Sequence, residues 1–331
     1  MTRSDTREYH IYGLRLISDY AFRTPLALGA PPASAGPPLD LHFTCRLVDQ
    51  ARALRRSSRI YASRETNTHG ESAVELYAGD GAPTETMRFP RVADFLLRPG
   101  AIECELLDPD CRYLVDICLF GHVLCYCCER LSFTAIHAGA VEIAGKAAVF
   151  AADSTGGKST MVASLVRAGA PLLADDIAVL ETDDDGVTCH RGYPQFKMTS
   201  DQIAAFTTAT GANEFELIHP AFEKVGVPAE RVGGFAAGSL PVGAIYLLHR
   251  DRSTEAQVTI TPVPPAEALM HLIHNSFIAQ LVDATDMRAE RLGRLSRIVK
   301  SVPVLRLRYP SGYESLPAVN EAVRGDLARR E

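Results

Sequence analysis

Val149-Phe150-Ala151-Ala152-Asp153-Ser154-Thr155-Gly156-Gly157-Lys158-Ser159-Thr160 is the stretch from which the fold of this chain is read. A short apolar run turns through small residues into a helix-compatible segment, Thr160 to Ala168, which Gly169 caps and Pro171 bars from continuing. A strand that turns this way into a helix points successive backbone N–H groups and the helix N-terminus at one spot, which suits a nucleotide phosphate. The stretch follows the pattern G-x-x-x-x-G-K-[ST] except at its first position, where Ala152 stands and demands a negative φ. Asp153, Ser154, Thr155, Gly156, Gly157, Lys158, Ser159 and Thr160 are therefore the expected nucleotide-binding residues. Lys158 would neutralise the β- and γ-phosphates, and the Ser159 hydroxyl would hold Mg²⁺. The bland alternative, an ordinary strand-to-helix turn with a solvated lysine, leaves Gly156-Gly157-Lys158-Ser159-Thr160 without a reason.

Around this centre the sequence reads as an α/β protein preceded by a β-rich region. The first part offers short strands at Tyr9 to Leu16, Leu41 to Leu47, Ile60 to Ala62, Ala73 to Tyr77 and Glu85 to Phe89, each rich in β-branched or aromatic residues. Pro25 to Pro38 holds enough proline and glycine to exclude ladder and helix, and reads as a surface loop. After an extended piece at Ala101 to Leu107, an apolar helix is expected from Arg112 to Leu131. The boundary is drawn accordingly, with a β-rich region over 1–109 and a nucleotide-binding domain over 110–331. Ile136 to Ile143 and Ala147 to Ala151 form a hairpin that enters the loop, and Leu172 to Leu180 reads as the strand after the loop's helix. Further on come a turn at Asp183 to Gly186, a capping box at Thr199 to Gln202, a strand at Leu240 to Leu248, helices over Pro265 to Leu281 and Met287 to Ile298, and a strand at Val304 to Tyr309.

Composition narrows the partners. A net charge of −6 with a pI near 6.0 and no long basic run excludes a nucleic-acid binder. The polar start, Met1 to Glu8, has no apolar core behind it, so a cytoplasmic protein is expected. No membrane span is expected either, since the most apolar stretch, Tyr113 to Cys128, is short and contains Asp116 and His122. Cys111, Cys118 and Cys125 recur every seven residues among leucines and valines, the spacing of one helix face, and read as small buried hydrophobes.

Two further features bear on chemistry. Asp175-Asp176 interrupts an otherwise apolar strand seventeen residues after Lys158, where one acid could meet Mg²⁺ and the other accept a proton from an attacking hydroxyl. The competing reading is a salt-bridged pair at a strand end. His137, on the strand beside the one entering the loop, is either a satisfied core group or an imidazole that reaches the substrate. Lys197, Lys224, His274 and Asn275 could line the site or decorate its surroundings.

Taken together, Ile136-His137-Ala138, Asp153-Ser154 with Gly157-Lys158-Ser159, and Ala174-Asp175-Asp176 resemble, in order and spacing, the HPr kinase/phosphorylase family, and more closely its smaller kinase-like members of bacterial peptide-tailoring pathways. The likeness extends over roughly 85 to 320 and includes Phe95 to Pro99, Gly192 to Met198 and Ser301 to Leu305. The resemblance implies a P-loop, phosphoenolpyruvate-carboxykinase-like mixed sheet with helices, ATP and Mg²⁺ as cofactors, and serine phosphorylation. It makes Asp175 the base, with His137 and Lys158 as its catalytic companions, and leaves Ser159 and Asp176 for the metal. Ala152 and Thr155 replace family glycines, Thr160 stands where a glutamate is usual, and the E-x-R-G-L-G signature is not recognisable around His190-Arg191-Gly192. The implied activity is thus a kinase without phosphorolysis, acting on a peptide or small protein that bears a serine, such as a lasso-type precursor, with a homo-oligomer in keeping. A small-metabolite hydroxyl kinase and a non-catalytic nucleotide sensor are the alternatives.

Overall fold

The computed structural model describes residues 6–28, 39–79, 84–153, 156–219, 222–253 and 257–330. Ser154 and Thr155 of the expected loop, and 29–38 of the proline-rich stretch, lie outside the described residues. The chain divides into two compact units, one running to Leu131 and including 278–289, the other made of 132–277 and 290 onward. The expected boundary at 109/110 falls inside the first unit.

The first unit is built on strands β1 (Arg7–Ile11), β2 (Leu14–Ser18), β3 (Leu39–Leu47), β4 (Arg59–Ala62), β5 (Glu75–Ala78), β6 (Glu85–Phe89), β7 (Ala93–Arg98) and β8 (Ala101–Leu106). They form one sheet in the order β1-β2-β3-β8-β7-β6-β5-β4. The run Tyr9 to Leu16, expected as a single strand, is instead the β1–β2 hairpin. Tyr12 and Gly13 both take positive φ, 55° and 80°, the two-residue turn whose twist suits antiparallel strands. The apolar helix is α1 (Arg112–Cys118) and α2 (Leu124–Arg130), joined by a π-helical turn at Leu119–Val123. The helical span Pro109–Arg130 is by length and composition apolar enough to cross a membrane, its most apolar 18-residue stretch having a mean hydropathy of 1.4, and 56% of that stretch is buried inside the protein. Cys118, Cys125 and Cys128 lie in that buried part, as the seven-residue spacing leads one to expect for the first two; Cys111, at the start, is half-buried. Asp116, also buried, accepts hydrogen bonds from the Arg23 and Thr24 backbone N–H groups at 2.8 and 2.7 Å.

The second unit carries the loop. Its strands are β9 (Thr134–Ile136), β10 (Ala138–Ile143), β11 (Lys146–Ala151), β12 (Leu172–Ala174), β13 (Ala178–Thr182), β14 (Val187–His190), β15 (Gln195–Met198), β16 (Glu216–His219), β17 (Phe222–Pro228), β18 (Leu240–Asp251), β19 (Thr259–Pro262) and β20 (Val304–Pro310). The helices in this part of the sequence are α3 (Lys158–Arg167), α4 (Ser200–Phe206), α5 (Pro265–His274), α6 (Ala279–Asp283), which belongs to the first unit, α7 (Arg288–Ser301) and α8 (Leu316–Ala328). A nine-stranded mixed sheet runs β12-β10-β11-β18-β14-β13-β9, with β20 on β18 and β19 on β20. β11, β18 and β20 are parallel, and β10 is antiparallel to β11. β15, β17 and β16 make a separate three-stranded sheet.

This architecture explains why Ala147 to Ala151 is apolar at every position. Ala148 and Phe150 face a core shared with α3 and α8, while Ala147, Val149 and Ala151 face one shared with α5 and α7, so the strand is covered on both sides. The hairpin into β11 turns at Ala144 and Gly145, both with positive φ. The Asp183 to Gly186 turn closes on Asp183, whose carboxylate accepts from the Asp185 and Gly186 N–H groups. The Thr199–Gln202 capping box opens α4 as expected.

Three further expected elements are divided. Ile136 to Ile143 breaks at His137 into β9, which pairs with β13, and β10, which pairs with β11 and β12. Pro265 to Leu281 ends as α5 at His274 and resumes at α6. Leu172 to Leu180 breaks after Ala174, and Asp176 takes φ 73°, a left-handed conformation that a non-glycine residue holds only when its surroundings enforce it. A continuous strand would have sent Asp175 and Asp176 to opposite faces.

Candidate active site

β11 delivers the chain to Ala152 and Asp153, and α3 starts at Lys158 with Gly157 at its N-cap. Gly157 sits at φ +95°, and a Cβ there would also come 3.0 Å from the Tyr309 hydroxyl. At Gly156 a Cβ would meet the Ala152 Cβ at 2.6 Å and the Asp153 carbonyl at 2.8 Å. Both glycines are therefore required by the turn itself. Replacing Gly157 with alanine is expected to cost about 1–2 kcal/mol through the left-handed backbone alone, lowering the melting temperature and weakening ATP binding in a titration; an unchanged melt and affinity would mean the loop is laid out differently.

Lys158 is buried, and its ammonium donates to the Ala152 carbonyl at 2.7 Å and the Asp153 carbonyl at 3.1 Å. Burial pulls its pKa below the ordinary lysine value, against the opposing attraction of Asp176, Asp153 and Asp175. A lysine held on loop carbonyls is a cation kept ready for an anion that can outbid them. Thr160 has a different engagement, its hydroxyl accepting from Gln202 Nε2 at 2.9 Å.

The two acids are held unlike one another. Asp175 is buried; its Oδ2 accepts from the Lys197 backbone N–H at 3.0 Å, while its Oδ1 is buried with no hydrogen-bond partner. Burial pushes its carboxyl up, as does the neighbouring Asp176 charge, with Lys197 and the Ser159 hydroxyl opposing. Asp176 spends both oxygens, Oδ1 on His137 Nε2 at 3.0 Å and Oδ2 on Lys197 Nζ at 2.8 Å. Burial alone would raise it, but His137 and Lys197 overrule that and hold it well below the usual carboxylate range. His137 is fixed in turn through its backbone N–H, which donates to the Asn275 carbonyl at 2.6 Å, and its ring stands edge-on to Phe277.

The structure thus brings Lys158, Asp175, Asp176 and His137 into one constellation, with Ser159 against Asp175. Asn275 supports it through its backbone, and His274 Nε2 pairs with the exposed Asp153 carboxylate at 3.0 Å. Lys224 is exposed but close enough to repel the Lys158 charge. His190 belongs elsewhere, between Glu181 and Ser239, each 2.9 Å from a ring nitrogen. The residue that sequence reasoning left among the bystanders is Lys197. A lysine between buried Phe196 and Met198 is the ordinary alternation of a half-buried strand, and it gave no local signal of the role.

A divalent cation fits these residues in one respect, since Asp175, with one buried oxygen unpartnered, stands against the Ser159 hydroxyl, and both are hard oxygen donors of the kind such an ion prefers. Asp176 could join only if His137 or Lys197 gave way.

No family model matches the chain, and no curated protein matches it. Among solved structures, the HPr(Ser) kinase/phosphatase from Coxiella burnetii is similar over 60% of this chain and 99% of its own length, at 11% identity and a TM-score of 0.32. A superposition that loose carries no argument about the chemistry of the site.

Proposed function

We propose that this protein is an ATP-dependent kinase that transfers the γ-phosphate to a serine hydroxyl, on a phosphoenolpyruvate-carboxykinase-like arrangement of its mixed sheet. The observation that carries the reading is the asymmetry of the acid pair, one carboxylate with a free buried oxygen and the other held by the Lys197 ammonium and His137 Nε2, at the strand end beside a lysine-bearing loop. Lys158 would exchange the Ala152 and Asp153 carbonyls for the phosphates, and the N–H groups opening α3 would face the same anion. Asp175 Oδ1 would take the proton of the serine hydroxyl as its oxygen bonds to the γ-phosphorus and the bond to the departing ADP breaks. Mg²⁺, held at Ser159, would screen the phosphate charge. His137 would keep Asp176 in place and present its ring to the same space.

The acceptor is proposed to be a small ribosomal peptide of the lasso type, on the motif resemblance alone. The test is mass spectrometry of the protein incubated with Mg²⁺-ATP and the peptides encoded beside its gene, with Asp175→Asn in parallel. A serine phosphate that is absent in the variant is expected. ATP binding without any transfer to peptide or small alcohol would overturn the reading in favour of a nucleotide sensor.

A further inference from the structure

One residue far from both motifs grips both acids. Lys197, twenty-one residues beyond Asp176, lies on β15, a strand of the separate three-stranded sheet. Its backbone N–H donates to Asp175 Oδ2 at 3.0 Å, and its ammonium meets Asp176 Oδ2 at 2.8 Å. Its side chain is 26% exposed, as is that of Asp176, so the pair is shielded from water but reachable from the site. Pairing of β15 with β17 across Phe196–Val227 and Lys197–Gly226 fixes the backbone that aims it.

We infer that Lys197 is the positioning residue that divides the labour between the two acids, holding Asp176 as an internal counter-ion and so leaving Asp175 the carboxylate free to act. The inference deepens the kinase reading of this site and rests on it for its catalytic meaning. Three observations support it. Asp176 is kept in a left-handed backbone conformation that turns its carboxylate toward Lys197 and His137 instead of continuing the strand. Among the four oxygens of the two carboxylates, Asp175 Oδ1 alone has no partner, and the other three are held by Lys197 or His137. A lysine that served packing alone would have no cause to reach one acid by its main chain and the other by its side chain.

The consequence is measurable without turnover. Removing the ammonium frees Asp176 Oδ2, an oxygen on the residue next to Asp175 that a divalent cation can then take. Mn²⁺ alone is the probe, its affinity read by electron paramagnetic resonance on the full chain. Lys197→Met is expected to bind Mn²⁺ at least threefold more tightly than the parent, and Lys197→Arg to stay within twofold of it. Should the methionine variant fail to fold, Lys197→Gln, which keeps a donor but no charge, takes its place with the same expectation. An unchanged Mn²⁺ affinity on loss of the charge overturns the inference. Phosphoryl transfer measured in parallel on the same proteins judges the kinase reading separately: a silent parent sinks that reading, while an active parent should lose at least tenfold in kcat on Lys197→Met, with KM for ATP within threefold.

Discussion

Lys158→Ala is expected to lower phosphoryl transfer by about a thousandfold, the scale on which a preorganised cation or donor at a transferring phosphoryl group acts. The lysine is buried at the start of α3 with its ammonium on two loop carbonyls, so it costs little reorganisation to meet a phosphate. The same substitution leaves the buried contact at the Ala152 carbonyl unmade, which costs about 1–3 kcal/mol. A modest fall in melting temperature should therefore accompany the loss of activity, and circular dichroism separates the two effects. ATP affinity, by titration calorimetry, should fall as well. A folded variant with full activity would remove the phosphate-loop assignment and the function with it.

Asp175→Asn should behave in the opposite way toward stability. Transfer is expected to fall by about 10²–10⁴, the range of a general base, with ATP affinity within a few fold, since the carboxylate's task is the acceptor's proton. Burial and Asp176 raise the folded-state pKa of Asp175 above its unfolded value. For an acid shifted that way, the stabilising contribution is complete below the unfolded pKa and is lost as pH rises through the folded one. At neutral pH the parent thus carries a penalty that asparagine does not. The variant should melt higher than the parent at pH 7, and the gap should close as pH falls below about 4, where the carboxyl binds its proton in both states. Scanning fluorimetry across that range checks it; a variant less stable than the parent at neutral pH would show that the Asp175 charge is compensated in the folded protein. In the parent, activity should decline as pH falls through the same raised pKa, because the base is then protonated.

What could be read in advance was local. The turn from β11 into α3 needs Gly156 because a Cβ there would strike Ala152 and Asp153, and it needs Gly157, at φ +95°, as the end of α3 needs Gly169, at φ +93°, for the left-handed backbone itself. The capping box at Thr199 and Gln202 and the Ala144-Gly145 turn are likewise settled by neighbours in the chain. The apolar strand β11, the loop that follows it, and an acid pair just past the apolar run after α3 were legible on those terms. Ser154 and Thr155 lie outside the described residues, so their part in the loop rests on the sequence.

Other features were not legible, and the cause is the same in each case. Tyr9 to Leu16 and Leu172 to Leu180 have the composition of single strands, and nothing within either run shows that it reverses at Tyr12-Gly13 or stops at Asp175. The helix α8 was not anticipated, although Tyr246 stacks on Phe150 and donates to Asp326 of that helix at 2.9 Å.

The amino-acid sequence by itself determined that an apolar strand must turn through small residues into a helix with a lysine at its start, because the φ demands and hydrogen-bond needs of those residues are met within one turn of chain. Tertiary structure alone decided which acid is free. Asp175 and Asp176 are chemically identical neighbours, and they differ only in what folding carries to them: His137 from the end of β9, and Lys197 from a separate sheet, its main chain to one carboxylate and its ammonium to the other. Charges and donors brought within 3 Å set the protonation and availability of a carboxylate, and such encounters between residues twenty or more positions apart are written in the packing rather than in the order of the chain.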